Sequence, residues 1–155
     1  MYKYLELIPD FQKWMEVSTA SSKDDWQAYQ FFILRVAQMV CQIDIVWPEF
    51  VEKEGLFLRK SNIPSDWVEF KIQAEKAGWS ESDMEYAINH VHVADLFFND
   101  PDRDKIDNSV YFFMASTMVE MWKSRLKLLF PKTNFAVGIT EPEIDPEVYA
   151  YAEHN

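Results

Sequence analysis

The feature that most constrains the fold is a high aromatic content in a chain with almost no glycine. The 155 residues include twelve Phe, seven Tyr and six Trp, but only three Gly. Large aromatic side chains can bury enough area to offset the conformational entropy that is lost on folding, whereas an acidic chain without them stays disordered. A chain of this length forms one domain around one core. We therefore expect a single globular domain over residues 1–155.

The chain is strongly acidic. It has 26 Asp and Glu against 15 Lys and Arg, a formal net charge of −11 and a pI near 4.6. This charge argues against binding to nucleic acid, which depends on Lys and Arg, and against binding to an anionic membrane surface. A field of one sign instead steers a partner of the opposite sign, so we expect a basic protein partner. The alternative is that the charge serves solubility alone.

The cysteine count and the start of the chain bear on its compartment. The single cysteine, Cys41, excludes an intrachain disulfide and suits a reducing environment. The first residues lack the pattern of a signal peptide, and the most apolar stretch, residues 31–47, contains too many polar groups for a membrane span. We therefore expect a cytoplasmic protein.

Hydrophobic periodicity predicts an α+β fold with about five helices. They are residues 9–17, a long helix over residues 24–46, residues 64–78, a helix that begins at Ser80 or Ser82 and continues to about Phe98, and a second long helix over residues 108–130. A paired strand segment is expected around Gly55. The helix over residues 24–46 is apolar on nearly all sides, so we expect other elements to cover it and Cys41 to be a buried packing group; the alternative is an interface.

The C-terminal segment changes to the alternation of a β-hairpin. Phe135, Val137 and Ile139 alternate with small or polar residues, and a Pro-containing connection follows. We expect strands over residues 134–140 and 146–152 in a small antiparallel sheet. Acidic residues concentrate here, so the predicted partner-binding residues are Glu141, Glu143, Asp145, Glu147, Tyr149 and Tyr151, with the tyrosines as amphipathic anchors.

A His-Val-His sequence at residues 90–92 is the most suggestive local pattern for chemistry. Two histidines with this spacing share a face on a strand, but point about 200° apart on a helix. Because the surrounding periodicity is helical, we reject a chelate and expect no metal site, with His90 in the core. On that helix His92 falls on one polar ridge, which makes it a weak acid–base candidate; the ridge residues are Glu85, Asn89, His92 and Asp95. A polar surface cluster is the alternative.

The functional expectation follows from the acidic charge of the chain and from the absence of known catalytic motifs. The chain has no phosphate-binding loop, dinucleotide fingerprint, nucleophile elbow or Cys-x-x-Cys motif, so we expect no cofactor. In size and charge the chain is similar to bacterial immunity proteins that cap basic nuclease toxins, although the similarity covers no motif. The leading hypothesis is a non-catalytic, immunity-type binding module. The alternatives are a small hydrolase or metal-dependent enzyme that uses His92 and Asp95, and a structural homo-oligomer.

Overall fold

The computed structural model of the chain describes residues 4, 7–17, 29–30, 33, 35–140 and 145–154. In this part of the chain there are five α-helices: α1 (Pro9–Val17), α2 (Val36–Val46), α3 (Trp67–Lys76), α4 (Glu81–Asn89) and α5 (Asn108–Leu129). The strands are β1 (Phe50–Lys53), β2 (Leu56–Arg59), β3 (Val91–His92), β4 (Phe135–Ile139) and β5 (Glu147–Ala152). The predicted α+β class is confirmed.

The strands form two small antiparallel sheets. β1 and β2 make a hairpin whose two turn residues, Glu54 and Gly55, both have positive φ. The second sheet has the order β3-β5-β4. In its register His92 lies opposite Glu147, and Gly138 lies opposite Tyr149. The predicted C-terminal hairpin is therefore confirmed as β4 and β5.

The main core lies between α5 and the inner face of β5. Val148, Ala150 and Ala152 alternate along β5 and are all buried. Trp122 of α5 is fully buried, and its indole N–H donates to the carbonyl of Ile45 at 2.9 Å. Burying so many apolar groups is the main source of stability in a domain of this kind. The core fixes which face of β5 points outward.

Two polar side chains of α4 fasten the two sheets together. Glu85 accepts hydrogen bonds from the backbone N–H groups of Phe57 in β2 and Ala152 in β5. Asn89 donates to the carbonyls of Phe57 and Ala150, and accepts from the N–H of Arg59. Both side chains are buried, so these bonds satisfy groups that would otherwise be costly to leave unpaired. The α4 helix thereby holds a fixed position along β5.

The first predicted long helix, over residues 24–46, is not continuous: residues 29, 30 and 33 are helical, but the helix is interrupted at Arg35. The helix that ends at Val46 begins at Val36, because Arg35 has the extended backbone angles φ −120° and ψ 147°. Residues 24–28 of the prediction lie outside the described residues. No residue of α2 is buried, and Cys41 is exposed, so the expected cover over this helix is absent from the described part of the chain. Only Ile45 and Val46, at its C-terminal end, pack against the main core.

The helix predicted to continue to Phe98 ends nine residues earlier, at Asn89. Ser80, one of the two predicted start residues, caps it together with Asp83 in a capping box. His90 is extended, with φ −77° and ψ 154°, and the next two residues pair with β5 as strand β3. Pairing with β5 overrides the helical periodicity, since strand formation depends on tertiary partners more than on local sequence. The second long helix, over residues 108–130, is confirmed as α5.

None of the helices in the described ranges combines the length and apolar character that crossing a lipid bilayer requires.

Candidate functional site

The outer face of β5 carries a group of polar and aromatic side chains. Along this strand the buried residues alternate with the half-exposed residues Glu147, Tyr149 and Tyr151. Tyr86 and His90 from α4 and its C-cap, and His92 from β3, lie beside them. We call this set the outer cluster; its members are Tyr86, His90, His92, Glu147, Tyr149 and Tyr151.

The rings of the outer cluster form one continuous line. Tyr151 stacks on Tyr149 with centroids 5.8 Å apart, and Tyr149 lies 5.4 Å from Tyr86. Tyr86 stacks on His90 at 5.7 Å, and His90 meets His92 edge to face at 5.4 Å. Contacts of this kind add stability beyond the burial of area and restrict the rings. The line therefore joins the tyrosines of β5 to the two histidines.

Glu147 lies where the tyrosines meet the histidines. Its Oε1 accepts a hydrogen bond of 2.6 Å from the hydroxyl of Tyr86, and its Oε2 lies 3.9 Å from Nε2 of His92. Burial, and then the bond to Glu147, raise the pKa of Tyr86 to about 12. Since the phenol keeps its proton, it acts as a donor that fixes the carboxylate and leaves Oε2 turned toward His92.

Each histidine is oriented through its Nδ1 atom. Nδ1 of His92 lies 3.2 Å from Oδ2 of Asp145, whose other oxygen accepts from the N–H of Ala94 at 3.1 Å. Nδ1 of His90 lies 3.1 Å from the carbonyl oxygen of Tyr86. Because both partners are acceptors, the proton belongs on Nδ1 in each ring, and Nε2 is the nitrogen with a lone pair to offer.

These constraints bring three potential metal ligands together. One ligand atom each from His90, His92 and Glu147 lies within 4.8 Å of the others. The expected helix, which would exclude a chelate, is not present here: on the extended backbone from His90 to His92, alternate residues share a face. His90 is half-buried at this site and not in the core.

The polar ridge predicted around His92 is not formed, because the helix that would carry it ends at Asn89. Glu85 and Asn89 are buried and bond to backbone groups of the two sheets. Asp95 lies in a 3-10 turn over residues 94–97, and its carboxylate is 3.7 Å from Arg103. His92 is the one ridge residue that joins the outer cluster, and its carboxylate neighbours are Asp145 and Glu147.

The predicted partner-binding residues have different placements. Glu141 and Glu143 lie outside the described residues. Asp145 and Glu147 are partly buried and bond within the protein. Tyr149 and Tyr151 point outward from β5 and are half-exposed. Sequence reasoning missed Tyr86 and placed His90 wrongly; the alternate spacing of His90 and His92 was the one signal that could have found the histidine pair.

Comparison with known proteins adds no family to this description: no family model, no curated protein and no solved structure matches the chain.

Proposed function

We propose that this protein is a non-catalytic binding module that holds a basic surface of a partner protein against the outer face of β5, as an immunity-type inhibitor of a basic nuclease toxin would. The observation that supports this is the outward row of Glu147, Tyr149 and Tyr151 along one strand. The opposite face of the same strand is buried, so the outward row is held in place by the core.

The two tyrosines supply the contact chemistry. Tyrosine side chains offer a large apolar ring and a polar hydroxyl, and they lose little conformational entropy on binding, which is why they are common at binding hot spots. Tyr149 and Tyr151 are already stacked with nearly parallel rings, at an interplanar angle of 15°. Side chains that are ordered before binding lose less conformational entropy when a partner binds.

The charge of the chain supplies the attraction. With a net charge of −11, the protein favours encounter with a basic partner, and such steering raises association rates by about ten- to a thousandfold at low salt. Salt screens this attraction: the Debye length is about 10 Å in 0.1 M salt, and charges farther apart than the Debye length interact weakly. The proposed interaction is therefore sensitive to salt in its association rate.

The experiment compares charge reversal at two places. A partner is first recovered from a lysate of the source organism on the immobilised protein at low salt, eluted at high salt and identified by mass spectrometry. Association rates are then measured for Glu141→Lys with Glu143→Lys, and for the control pair Glu75→Lys with Glu120→Lys, which lie exposed on α3 and α5. The two pairs change the net charge equally.

We expect the first pair to slow association by about tenfold at low salt and very little at high salt, with a much smaller effect of the control pair. Tyr149→Ala with Tyr151→Ala should raise the dissociation rate, because anchor residues act after encounter. Equal effects of the two charge pairs would show that only net charge matters, and would contradict the placement of the binding face at the hairpin.

A structural homo-oligomer is the second candidate, and the exposed stripe on α2 favours it. Val36, Val40 and Ile43 are 83 %, 62 % and 52 % exposed, and their spacings of four and three residues place them on one side of the helix. Light scattering at tens of micromolar measures the mass directly. If α2 forms the contact, Val40→Lys should give a monomer, whereas Val68→Lys, at a residue that is 68 % exposed on α3, should leave the mass unchanged.

A further inference from the structure

We propose that His90, His92 and Glu147 bind one divalent transition-metal ion, for which zinc is the best chemical match. Two imidazole nitrogens and one carboxylate oxygen are a ligand set that suits zinc and its neighbours, and that suits calcium or magnesium poorly because these prefer oxygen ligands. Among the residues that the structure describes, this is the one group of three such side chains close enough to share an ion.

The distances are near those that a bound ion requires. Tetrahedral zinc with bonds of about 2.0–2.1 Å holds neighbouring ligand atoms about 3.4 Å apart. The Nε2 atom of His92 and Oε2 of Glu147 are 3.9 Å apart, and all three ligand atoms lie within 4.8 Å of one another. Displacements of the ligand atoms by about an ångström would therefore bring them to the spacing of a bound zinc ion.

The groups around the ligands orient them for binding. Histidines that bind metals commonly donate their other N–H to a carboxylate or a backbone carbonyl, and the bound carboxylates are hydrogen-bonded in turn. All three features are present here: Asp145 faces Nδ1 of His92, the carbonyl of Tyr86 faces Nδ1 of His90, and the hydroxyl of Tyr86 donates to Glu147. Two further residues, Asp145 and Tyr86, therefore fix the three ligands.

The site is open to solvent and electrostatically suited to a cation. The side chain of His92 is 44 % exposed and that of Glu147 is 15 % exposed, so an ion can enter on the side of His92. The carboxylates of Asp145 and Glu147 both lie beside His92 and attract a cation.

Three protein ligands leave a fourth position for water or another molecule, as in catalytic zinc sites. A metal-dependent hydrolase activity would act here rather than through Asp95.

This inference goes beyond the proposed partner binding, which depends on Tyr149 and Tyr151. Glu147 is the one proposed ligand that also belongs to the partner-binding face, so the two proposals can fail separately. Tyr149→Ala with Tyr151→Ala should weaken partner binding and retain the metal, and substitution of the histidines tests the metal alone.

The test uses full-length protein without an affinity tag, titrated with Zn²⁺ in a calorimeter and with Co²⁺ by absorption spectroscopy. We expect one ion per chain, and no comparable binding of Mg²⁺. His90→Ala and His92→Ala should each weaken Zn²⁺ binding by roughly tenfold or more. The control is His154→Ala, because His154 also lies beside two carboxylates, those of Glu81 and Glu85, yet belongs to no ligand group. It should leave the affinity unchanged.

A measurement on the unaltered protein keeps the test independent of folding in the variants. In ¹⁵N NMR spectra of the histidine side chains, Zn²⁺ should shift the Nε2 signals of His90 and His92 and leave those of His154 in place. The proposal is overturned if Zn²⁺ does not bind at millimolar concentration, if both histidine variants bind as the unaltered protein does, or if His154 gives the shifted signals.

Discussion

Strand β5 has a glutamate–histidine cluster at each end, and the two clusters are built differently. At the C-terminal end Glu85 meets His154, with 3.1 Å between Oε1 and Nε2. At the N-terminal end Glu147 meets His92, with 3.9 Å between Oε2 and Nε2. Glu85 is fully buried and accepts from two backbone N–H groups, whereas Glu147 accepts its shortest bond from the side chain of Tyr86.

The difference shows that residue type alone does not make a ligand. The oxygens of Glu85 are occupied by the amides of two strands that depend on them, so this carboxylate is part of the fold. Glu147 has one oxygen fixed by a phenol and the other turned toward an imidazole. A carboxylate held by side chains on a half-exposed face can change partners, which a carboxylate buried among backbone donors cannot do without loss of stability.

The largest expected effect is on the free energy of unfolding when each carboxylate is removed. Glu85→Ala leaves the N–H groups of Phe57 and Ala152 without their acceptor, at about 1–3 kcal/mol each, so we expect a loss of about 3 kcal/mol or more. Glu147→Ala leaves the hydroxyl of half-exposed Tyr86 free to bond with water, so we expect a loss of about 1 kcal/mol or less.

Urea unfolding of the two variants beside the unaltered protein measures this contrast. Comparison of the denaturant slopes shows whether the midpoints report stability alone. Equal losses for Glu85→Ala and Glu147→Ala would show that both clusters are structural, and would remove the distinction between them.

A smaller effect is expected in the dependence of stability on pH at the Tyr86 side of the outer cluster. Burial and the bond to Glu147 raise the pKa of Tyr86 to about 12 in the folded protein, above the value of about 10 for an exposed phenol. The folded state thus favours the protonated phenol. Its contribution to stability is present in full below pH 10, and is lost as the pH rises from about 10 to about 12.

The measurement compares urea midpoints of the unaltered protein and of Tyr86→Phe between pH 9 and pH 11.5. Since Phe cannot ionise, the advantage of the unaltered protein should shrink as the pH rises. Because Tyr86 stays mostly protonated in the folded protein up to pH 11.5, tyrosinate absorption of the two folded proteins should differ by much less than one phenol over this range. A constant gap between the midpoints would contradict a raised pKa at this residue.

Much of the fold could be predicted because its signals are local. The capping box of Ser80 and Asp83 marks the start of α4, and Pro131 follows the end of α5. Alternation along residues 135–139 predicts β4. Such signals depend on residues a few positions apart, so they can be recognised without knowledge of the tertiary structure.

The two wrong helix boundaries have non-local or unmarked causes. Strand β3 exists because Val91 and His92 pair with β5, more than fifty residues later, and a two-residue strand leaves no periodicity of its own. The start of α2 is set by the extended backbone of Arg35, which no proline or glycine marks in the sequence. Apolar residues continue across that break, so periodicity predicted one helix.

The candidate site could be predicted only in part, because some of its features are local in sequence and others depend on tertiary contacts. The strand predicted over residues 146–152 is confirmed as β5, and Tyr149 and Tyr151, two positions apart on it, both point outward. The bond from Tyr86 to Glu147 joins residues 61 positions apart. Neither the role of Tyr86 nor the approach of His90 to Glu147 follows from spacing in the sequence, because both depend on how α4 lies along β5.

The smallest expected effect is at Gly138, whose Cα lies opposite Tyr149 on the neighbouring strand. A Cβ atom added there would lie 2.6 Å from the hydroxyl oxygen of Tyr149, so the ring of Tyr149 must move. Alanine gains about 0.5–1 kcal/mol over glycine inside a strand, and loss of a stacked ring pair costs about 0.5–1.5 kcal/mol. The two effects largely cancel, so we expect Gly138→Ala to change stability by between a gain of about 0.5 and a loss of about 1 kcal/mol, measured by urea unfolding. With Tyr149→Ser already present, the obstruction is gone, and the same substitution should stabilise the protein by about 0.5–1 kcal/mol. An identical effect of Gly138→Ala in both backgrounds would mean that Tyr149 does not lie over Gly138, and the outward tyrosine row would lose the contact that orders it.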